Sequence, residues 1–294
     1  MKILLLGKNG QLGWELQRAL APLGELVALD RHDPGGDLAD TESLFARVTR
    51  EAPQVIVNAA AYTAVDKAES EPRLAQQINA AAVAALASIA KDLGALLVHY
   101  SSDYVFDGSG DQPRDENAPL APLSVYGAGK AAAEVVIRDI GCQHLILRTS
   151  WVYAARGGNF AKTMLRLAAE RDQLKVIADQ IGAPTGADLL ADLSAHMIRA
   201  TLADPSLSGL YNTVAAGETS WHAYACHVIE WARAKGHAIK VAPDQILAIP
   251  TSDYPTPARR PLNSRLSTAK LQAAFGLRLP PWQQGVERML NEIL

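Results

Sequence analysis

Short, solidly apolar runs alternate along the first half of the chain with longer segments whose apolar residues recur every three or four positions. Residues 2–6, 26–29, 55–57, 95–100 and 145–147 are the solid runs. Their length and lack of alternation predict strands covered on both faces. Leu12, Leu16 and Leu20, with Ala19 beside them, predict a helix directly after the first strand. Leu44, Phe45 and Val48 share one face of a helix over 41–51, with Asp40 as its N-cap and Pro53 beyond its end. The alanine-rich stretch 72–93, closed by Gly94, and the stretch 124–140 predict two more helices. Strands alternating with helices at this spacing predict an α/β fold with a mostly parallel sheet.

Beyond about residue 150 the pattern loosens, with glycine and proline clusters at 156–158, 182–186, 205–209 and 250–261. Helices are expected near 159–171, 187–203, 219–235 and 281–293. Four prolines fall within the twelve residues 250–261, a density that predicts an ordered loop without regular structure. The expected division is a sheet domain over 1–150 and a smaller α/β lobe over 151–294, with part of the later chain returning to the sheet.

Composition narrows the function classes. Of 294 residues, 49% are hydrophobic and 20% charged, which excludes disorder as the main state. A net charge of −3 gives no electrostatic attraction to nucleic acid or an anionic membrane surface. The two cysteines, Cys142 and Cys226, do not make a disulfide scaffold and fit a reducing compartment. No run reaches the roughly 18 apolar residues of a membrane span, and the apolar run before Gly7 is too short for a secretory leader. A cytoplasmic protein is expected.

Gly7, Gly10 and Gly13 form G-x-x-G-x-x-G between the first strand and the first helix. Glycine there permits a tight turn and close approach of backbone to phosphate, and the helix N-terminus offers free N–H groups to a pyrophosphate. Asp30, 20 residues after Gly10, ends the second strand where a carboxylate can accept from ribose hydroxyls. Together these predict a dinucleotide site in a Rossmann-type doubly wound parallel sheet. Asp30 favours NADH, whereas Arg31 beside it suits the 2′-phosphate of NADPH, and both cofactors remain open. Small residues in Asn58-Ala59-Ala60-Ala61 leave room for adenosine or ribose at the end of the third strand.

Tyr126 and Lys130 form Y-x-x-x-K, one turn apart on a helix face. An ammonium beside a phenol is expected to lower its pKa, so that the phenol can protonate a carbonyl oxygen as hydride arrives at carbon. Ser101 and Ser102, at the exit of the fourth strand, both offer a hydroxyl to that carbonyl. Trp151 offers a flat apolar face to a sugar. Arg259, Arg260 and Arg265 in or beside the proline-rich loop suit a diphosphate.

These pieces belong to a wider pattern. Gly7–Gly13, Asn58–Glu69, Ser101–Phe106, Tyr126-x-x-x-Lys130, Arg148–Tyr153, Asn159–Met164, Asp179–Thr185, Tyr254–Pro261 and Asn263–Arg265 span essentially the whole chain. Together they resemble the dTDP-4-dehydrorhamnose reductases, within the extended short-chain dehydrogenase/reductases. The resemblance implies NAD(P)H-dependent reduction at C4 of a dTDP-bound 6-deoxy-4-ketohexose, giving dTDP-L-rhamnose for bacterial surface polysaccharides such as O-antigen. It implies Tyr126 as proton donor, Lys130 as its partner and Ser102 as the hydroxyl, where the family often has threonine. It places Ser102, Asp103 and Trp151 at the substrate. It places Gln11, Leu12, Asp37, Leu38, Ala60, Ala61, Tyr62, Thr63, Tyr100, Tyr126 and Lys130 at the cofactor, with Lys130 on the nicotinamide ribose. A homodimer is expected, and a magnesium ion at its interface is left unassigned among Glu15, Asp188 and Glu292.

Other features carry less. His222, Cys226 and His227 do not make a closed zinc set. Asp66, Lys67, Glu69 and Glu71 read as a solvated helix end. Two other readings stay open on the residues: a nucleotide-sugar epimerase or dehydratase that retains NAD, and a non-catalytic regulatory subunit on the same scaffold.

Overall fold

The computed structural model describes residues 1–294. The first half runs β1 (Lys2–Leu6), α1 (Gln11–Leu20), β2 (Glu25–Leu29), α2 (Thr41–Glu51), β3 (Val55–Asn58), α3 (Val65–Ala68), α4 (Pro72–Gln76), α5 (Ala82–Leu93), β4 (Leu96–Ser102), α6 (Val125–Ile140) and β5 (His144–Thr149). The second half runs β6 (Val152–Tyr153), α7 (Phe160–Glu170), β7 (Leu174–Ile177), β8 (Ile181–Gly182), β9 (Thr185–Gly186), α8 (Ala187–Ala203), β10 (Gly209–Asn212), β11 (Thr219–Ser220), α9 (Trp221–Ala234), β12 (Ile246–Ile249), α10 (Ala269–Phe275) and α11 (Trp282–Ile293).

Six strands form one parallel sheet in the order β10-β5-β4-β3-β1-β2. Alternate residues of each strand enter opposite layers. Leu4, Leu6, Ile56, Leu97 and Ile146 pack with α2, α5 and α6 through Leu44, Val48, Leu86 and Ile137. Ile3, Leu5, Val57, Val98 and Leu147 pack with α1, α8 and α10 through Leu16, Leu20, Met197, Ile198 and Leu271. Both faces are dry, which is why these strands are solidly apolar. Truncating one such leucine to alanine costs about 2–5 kcal/mol.

β1 lies between β2 and β3, so the chain leaves it in one direction and returns on its other side. A crevice opens at the carboxyl ends of the strands at such a point. The sheet is completed by β10, with α8 and α10 on one face, all from the later chain. In the remainder of the second half, α7 and α9 cover the parallel pair β7–β12, and α9 and α11 meet around Tyr224, Trp282 and Met289.

The later strands, β6 to β12, carried no signal in the sequence. β7 and β12 pair only with each other and carry exposed positions at Lys175 and Ala248. β10 is a four-residue strand opened by a glycine. The expected helix 72–93 is divided by a π turn at Gln77–Ala81. No helix is long and apolar enough to cross a membrane.

Candidate active site

The crevice is a cleft of about 930 Å³, near the upper end for small-molecule sites. Its nucleotide half is built by the turn from β1 into α1. Gly7 has φ +89°, and a Cβ there would lie 2.8 Å from the Ala60 nitrogen. Its own N–H donates to the Leu29 carbonyl at 2.8 Å. The turn therefore lies against both neighbouring strands and excludes any side chain. Gly10 caps α1 without a side-chain hydrogen bond, leaving first-turn amides for an anion. Gly7, Gly10, Gln11 and Leu12 line the cleft. Gly13 does not: a Cβ there would lie 2.0 Å from the Gly7 carbonyl oxygen, so it serves the packing of helix on turn.

Asp30, Arg31, Asp37, Leu38, Ala60, Ala61, Tyr62 and Thr63 also line the cleft. Asp30 accepts from the His32 N–H at 2.8 Å and from the Asn9 amide. Arg31 is exposed, meets His32 at 3.2 Å and forms no ion pair, so its guanidinium is free for a phosphate. The collision at Gly7, the uncapped helix and the small residues after β3 fit a dinucleotide.

The half of the cleft that holds the candidate catalytic residues is set by β4 and α6. Ser124 caps α6, accepting from the Gly127 N–H at 3.1 Å, so Tyr126 and Lys130 face the end of β4 from the first turns. Tyr100, Ser102, Asp103, Tyr126 and Lys130 line the cleft. Ser101 donates to Glu134 Oε1 at 2.5 Å and is thereby committed. Ser102 donates to Asp103 Oδ1 at 2.9 Å and accepts from the Tyr104 N–H at 3.1 Å. The second Asp103 oxygen is buried without a partner, and burial pushes that carboxyl up to about 6 against the pull of Ser264 and Ser102.

The expected lowering of the Tyr126 pKa by Lys130 is not observed. Burial, with the Asp103 charge, pushes the phenol up to about 12, while Ser102 opposes the rise. Lys130 donates instead to the Tyr100 carbonyl at 2.9 Å. Burial draws the Lys130 ammonium down to about 8, opposed by Glu134.

Trp151 lines the cleft with φ +49°, and its indole stacks on Trp221. The arginines lie elsewhere. Arg260 pairs with Asp66 at 2.7 Å and Arg265 with Glu218 at 2.8 Å; neither lines the cleft. Arg259 is exposed and also lies outside it. Their expected diphosphate role is therefore not supported. The cluster read as a solvated helix end is a set of ties. Asp66 accepts from the Ala258 N–H at 3.1 Å, Glu69 from the Val125 N–H at 2.9 Å, and Glu71 from the Tyr62 hydroxyl at 2.7 Å.

Glu15, Asp188 and Glu292 share a smaller pocket of about 250 Å³ with Arg18 and Arg288. Arg18 pairs with Glu15 at 3.4 Å and Arg288 with Asp188 at 3.6 Å, and no group of three side chains is placed to hold a metal. The magnesium expectation finds no support. His222 and Cys226 meet at 3.7 Å without further ligands.

Four residues escaped the sequence reading. Asn79, in the π turn, accepts from the Tyr62 N–H at 2.8 Å and donates to the Tyr62 carbonyl at 3.0 Å, fixing a loop that lines the cleft. Glu134 and Arg148 form a buried pair at 2.7 Å beneath Lys130. Glu134 was findable, one turn beyond Lys130 on the same helix face. Trp221 lines the cleft and carried no motif.

Comparison with known proteins fits this geometry. The family model "RmlD substrate binding domain" matches residues 1–294. The chain is 58% identical over 295 residues to the dTDP-4-dehydrorhamnose reductase of Shigella flexneri, covering 100% of this chain and 98% of that protein. It is similar to the crystal structure of a dTDP-4-dehydrorhamnose reductase from Clostridium acetobutylicum, with TM-score 0.89 and 33% identity, covering 100% of this chain and 99% of that one. The corresponding protein of Bacillus anthracis, crystallised in complex with NADP, gives TM-score 0.89 and 34% identity over 99% of both chains.

Proposed function

The chain belongs to the RmlD substrate-binding-domain family, that of the dTDP-4-dehydrorhamnose reductases, and from this we propose how its cleft performs the reduction. The enzyme is an oxidoreductase of dTDP-rhamnose synthesis. It converts dTDP-4-dehydro-β-L-rhamnose to dTDP-L-rhamnose with a reduced nicotinamide cofactor. The observation that carries the site assignment is the meeting of Ser102, Tyr126 and Lys130 with the glycine turn in one cleft.

The turn at Gly7 and Gly10, with Gln11 and Leu12, holds the pyrophosphate. Asp37, Leu38 and Ala60–Thr63 line the adenosine side, with Asn79 fixing the last loop. NADPH is the favoured cofactor, because Arg31 forms no ion pair and meets only His32, whereas Asp30 already accepts from two donors. The cofactor, when bound, supplies the hydride that reaches C4. Tyr126 supplies the proton to the C4 oxygen: a phenol held near 12 is fully protonated at neutral pH, the state a donor requires. Ser102, which lines the cleft, would hydrogen-bond that oxygen by turning its hydroxyl away from Asp103. Lys130, still mostly charged at neutral pH and held by the Tyr100 carbonyl, would hold the ribose of the nicotinamide.

The sheet domain thus serves the dinucleotide, and Trp151 brings the later chain to the sugar. Location in the cytoplasm and a homodimer complete the reading. The test is the fall of reduced-nicotinamide absorbance when the dTDP-4-keto sugar is generated in place by its upstream epimerase. Sugar-dependent oxidation that yields dTDP-L-rhamnose, faster with NADPH than NADH, is expected. Folded protein that binds the cofactor without consuming it would overturn the assignment.

A further inference from the structure

Trp151 is held in a conformation that its own backbone disfavours. Its φ of +49° lies in the left-handed region, which a bulky side chain adopts only when its surroundings impose it. Two neighbours pack against its ring. On one side the Trp221 ring stacks at 3.6 Å between centroids and 14° between planes. Elsewhere the ring lies so close to Gly182 that a Cβ there would fall 2.8 Å from Trp151 Cε2.

Trp221 is itself fixed. Its indole N–H donates to Gln180 Oε1 at 3.1 Å, and Phe160 packs against it at 4.5 Å. Gln180 is buried, with 3% exposure, and its amide donates to Thr251 Oγ1 at 3.1 Å. The Thr251 hydroxyl in turn donates to Asp179 Oδ1 at 2.6 Å. A chain of contacts therefore runs from the start of the proline-rich loop through Gln180 and Trp221 to the face of Trp151.

We propose that Trp221, clamped by Gln180, is a positioning residue that fixes which edge of Trp151 the sugar ring meets. The inference rests on the reading of Trp151 as the sugar-facing wall. Trp221 closes one face of Trp151 and the Gly182 backbone lies over the other at Cε2, so a hexose can meet the ring only at its remaining edge. Fixing a flat wall before binding lowers the ordering cost of the complex and affects the sugar more than the dinucleotide.

The test is a double-mutant cycle on Trp151→Ala and Trp221→Ala, with Gln180→Met and Gly182→Ala as variants that retain both tryptophan side chains. Steady-state kinetics give KM and kcat for the dTDP-sugar, and fluorescence titration gives the Kd for reduced cofactor. Near-ultraviolet circular dichroism reads the coupled indole pair. Trp221→Ala is expected to lower kcat/KM about tenfold, mostly through KM, as expected for loss of one aromatic pair. The cofactor Kd should stay within about twofold, a reading that a general loss of structure would not spare. Trp221→Phe should recover part of the loss. In the Trp151→Ala background Trp221→Ala should add little, because it acts through Trp151. Gly182→Ala should disturb the dichroism and raise KM with Trp221 intact.

Additive effects of the two alanine substitutions would overturn the proposal, as would an unchanged KM in a folded Trp221→Ala or Gly182→Ala variant. If Trp151→Ala itself leaves KM unchanged, the reading of Trp151 at the sugar fails first. If Trp151→Ala raises KM and Trp221→Ala does not, the positioning role alone fails.

Discussion

Replacing Glu134 by glutamine should both loosen the protein and move the alkaline limit of its activity. The Glu134 and Arg148 side chains are 0% and 2% exposed, and the guanidinium donates to both carboxylate oxygens, at 2.9 and 2.7 Å. Removing one partner of such a buried pair costs about 3–5 kcal/mol, because the other charge stays buried and uncompensated. At about 2 °C per kcal/mol for a chain of this size, Tm should fall by about 6–10 °C. The same carboxylate opposes the burial that draws Lys130 down to about 8. In Glu134→Gln the ammonium is lost at a lower pH, so the alkaline limb of kcat/KM moves toward neutrality. The double variant Glu134→Leu/Arg148→Met removes both charges and should recover most of the stability. It should still show the displaced alkaline limb, since Lys130 still lacks its carboxylate. Thermal melts by circular dichroism and a pH profile of kcat/KM read the two effects separately. An unchanged Tm in Glu134→Gln would refute the stability argument. An unmoved limb in both variants would refute the link to Lys130.

Four further predictions follow from the same geometry. Tyr126→Phe should lose about 10²–10⁴-fold in kcat, the range for a positioned proton donor, while fluorescence titration finds cofactor affinity within about twofold; near-normal turnover would remove Tyr126 from the reaction. Gly7→Ala must place a methyl group 2.8 Å from the Ala60 nitrogen at φ +89°, so cofactor titration should show binding largely lost, and intact affinity would contradict the site of the pyrophosphate. The Asp103 carboxyl sits at about 6 against an ordinary 3.8, so the folded state binds its proton more tightly and its favourable contribution is lost as pH rises through about 6. Asp103→Asn should therefore raise Tm at pH 8, by at most about 3 kcal/mol of stability, and give no gain at pH 4; the opposite trend would contradict the burial argument. Arg31→Ala should raise KM for NADPH more than for NADH, and equal effects would show that Arg31 does not meet the 2′-phosphate.

The sheet domain was legible because its strands are buried on both faces, and apolar runs such as Leu4–Leu6 and Val55–Val57 are too short for helices and are bounded by turn residues. The later strands were not, because β7 and β12 gain their burial from each other and from α7 and α9, which a local pattern does not reveal. The glycine turn and Y-x-x-x-K could be read because each is compact in sequence. The environment around them could not. Arg260 and Arg265 carry the right charge for a diphosphate, and only the fold shows that Asp66 and Glu218 already hold them. The pKa of Tyr126 reversed direction for the same reason: the i,i+4 spacing brings Lys130 close, but the Tyr100 carbonyl takes its ammonium and burial governs the phenol.

The central claim is that this cleft reduces the C4 ketone of the dTDP-sugar. The most direct test uses a cofactor deuterated at the transferring carbon of the nicotinamide, with product analysis by mass spectrometry and NMR. One deuterium at C4 of dTDP-L-rhamnose is the predicted result. Turnover without label at C4, or a product of unchanged oxidation state, would contradict it.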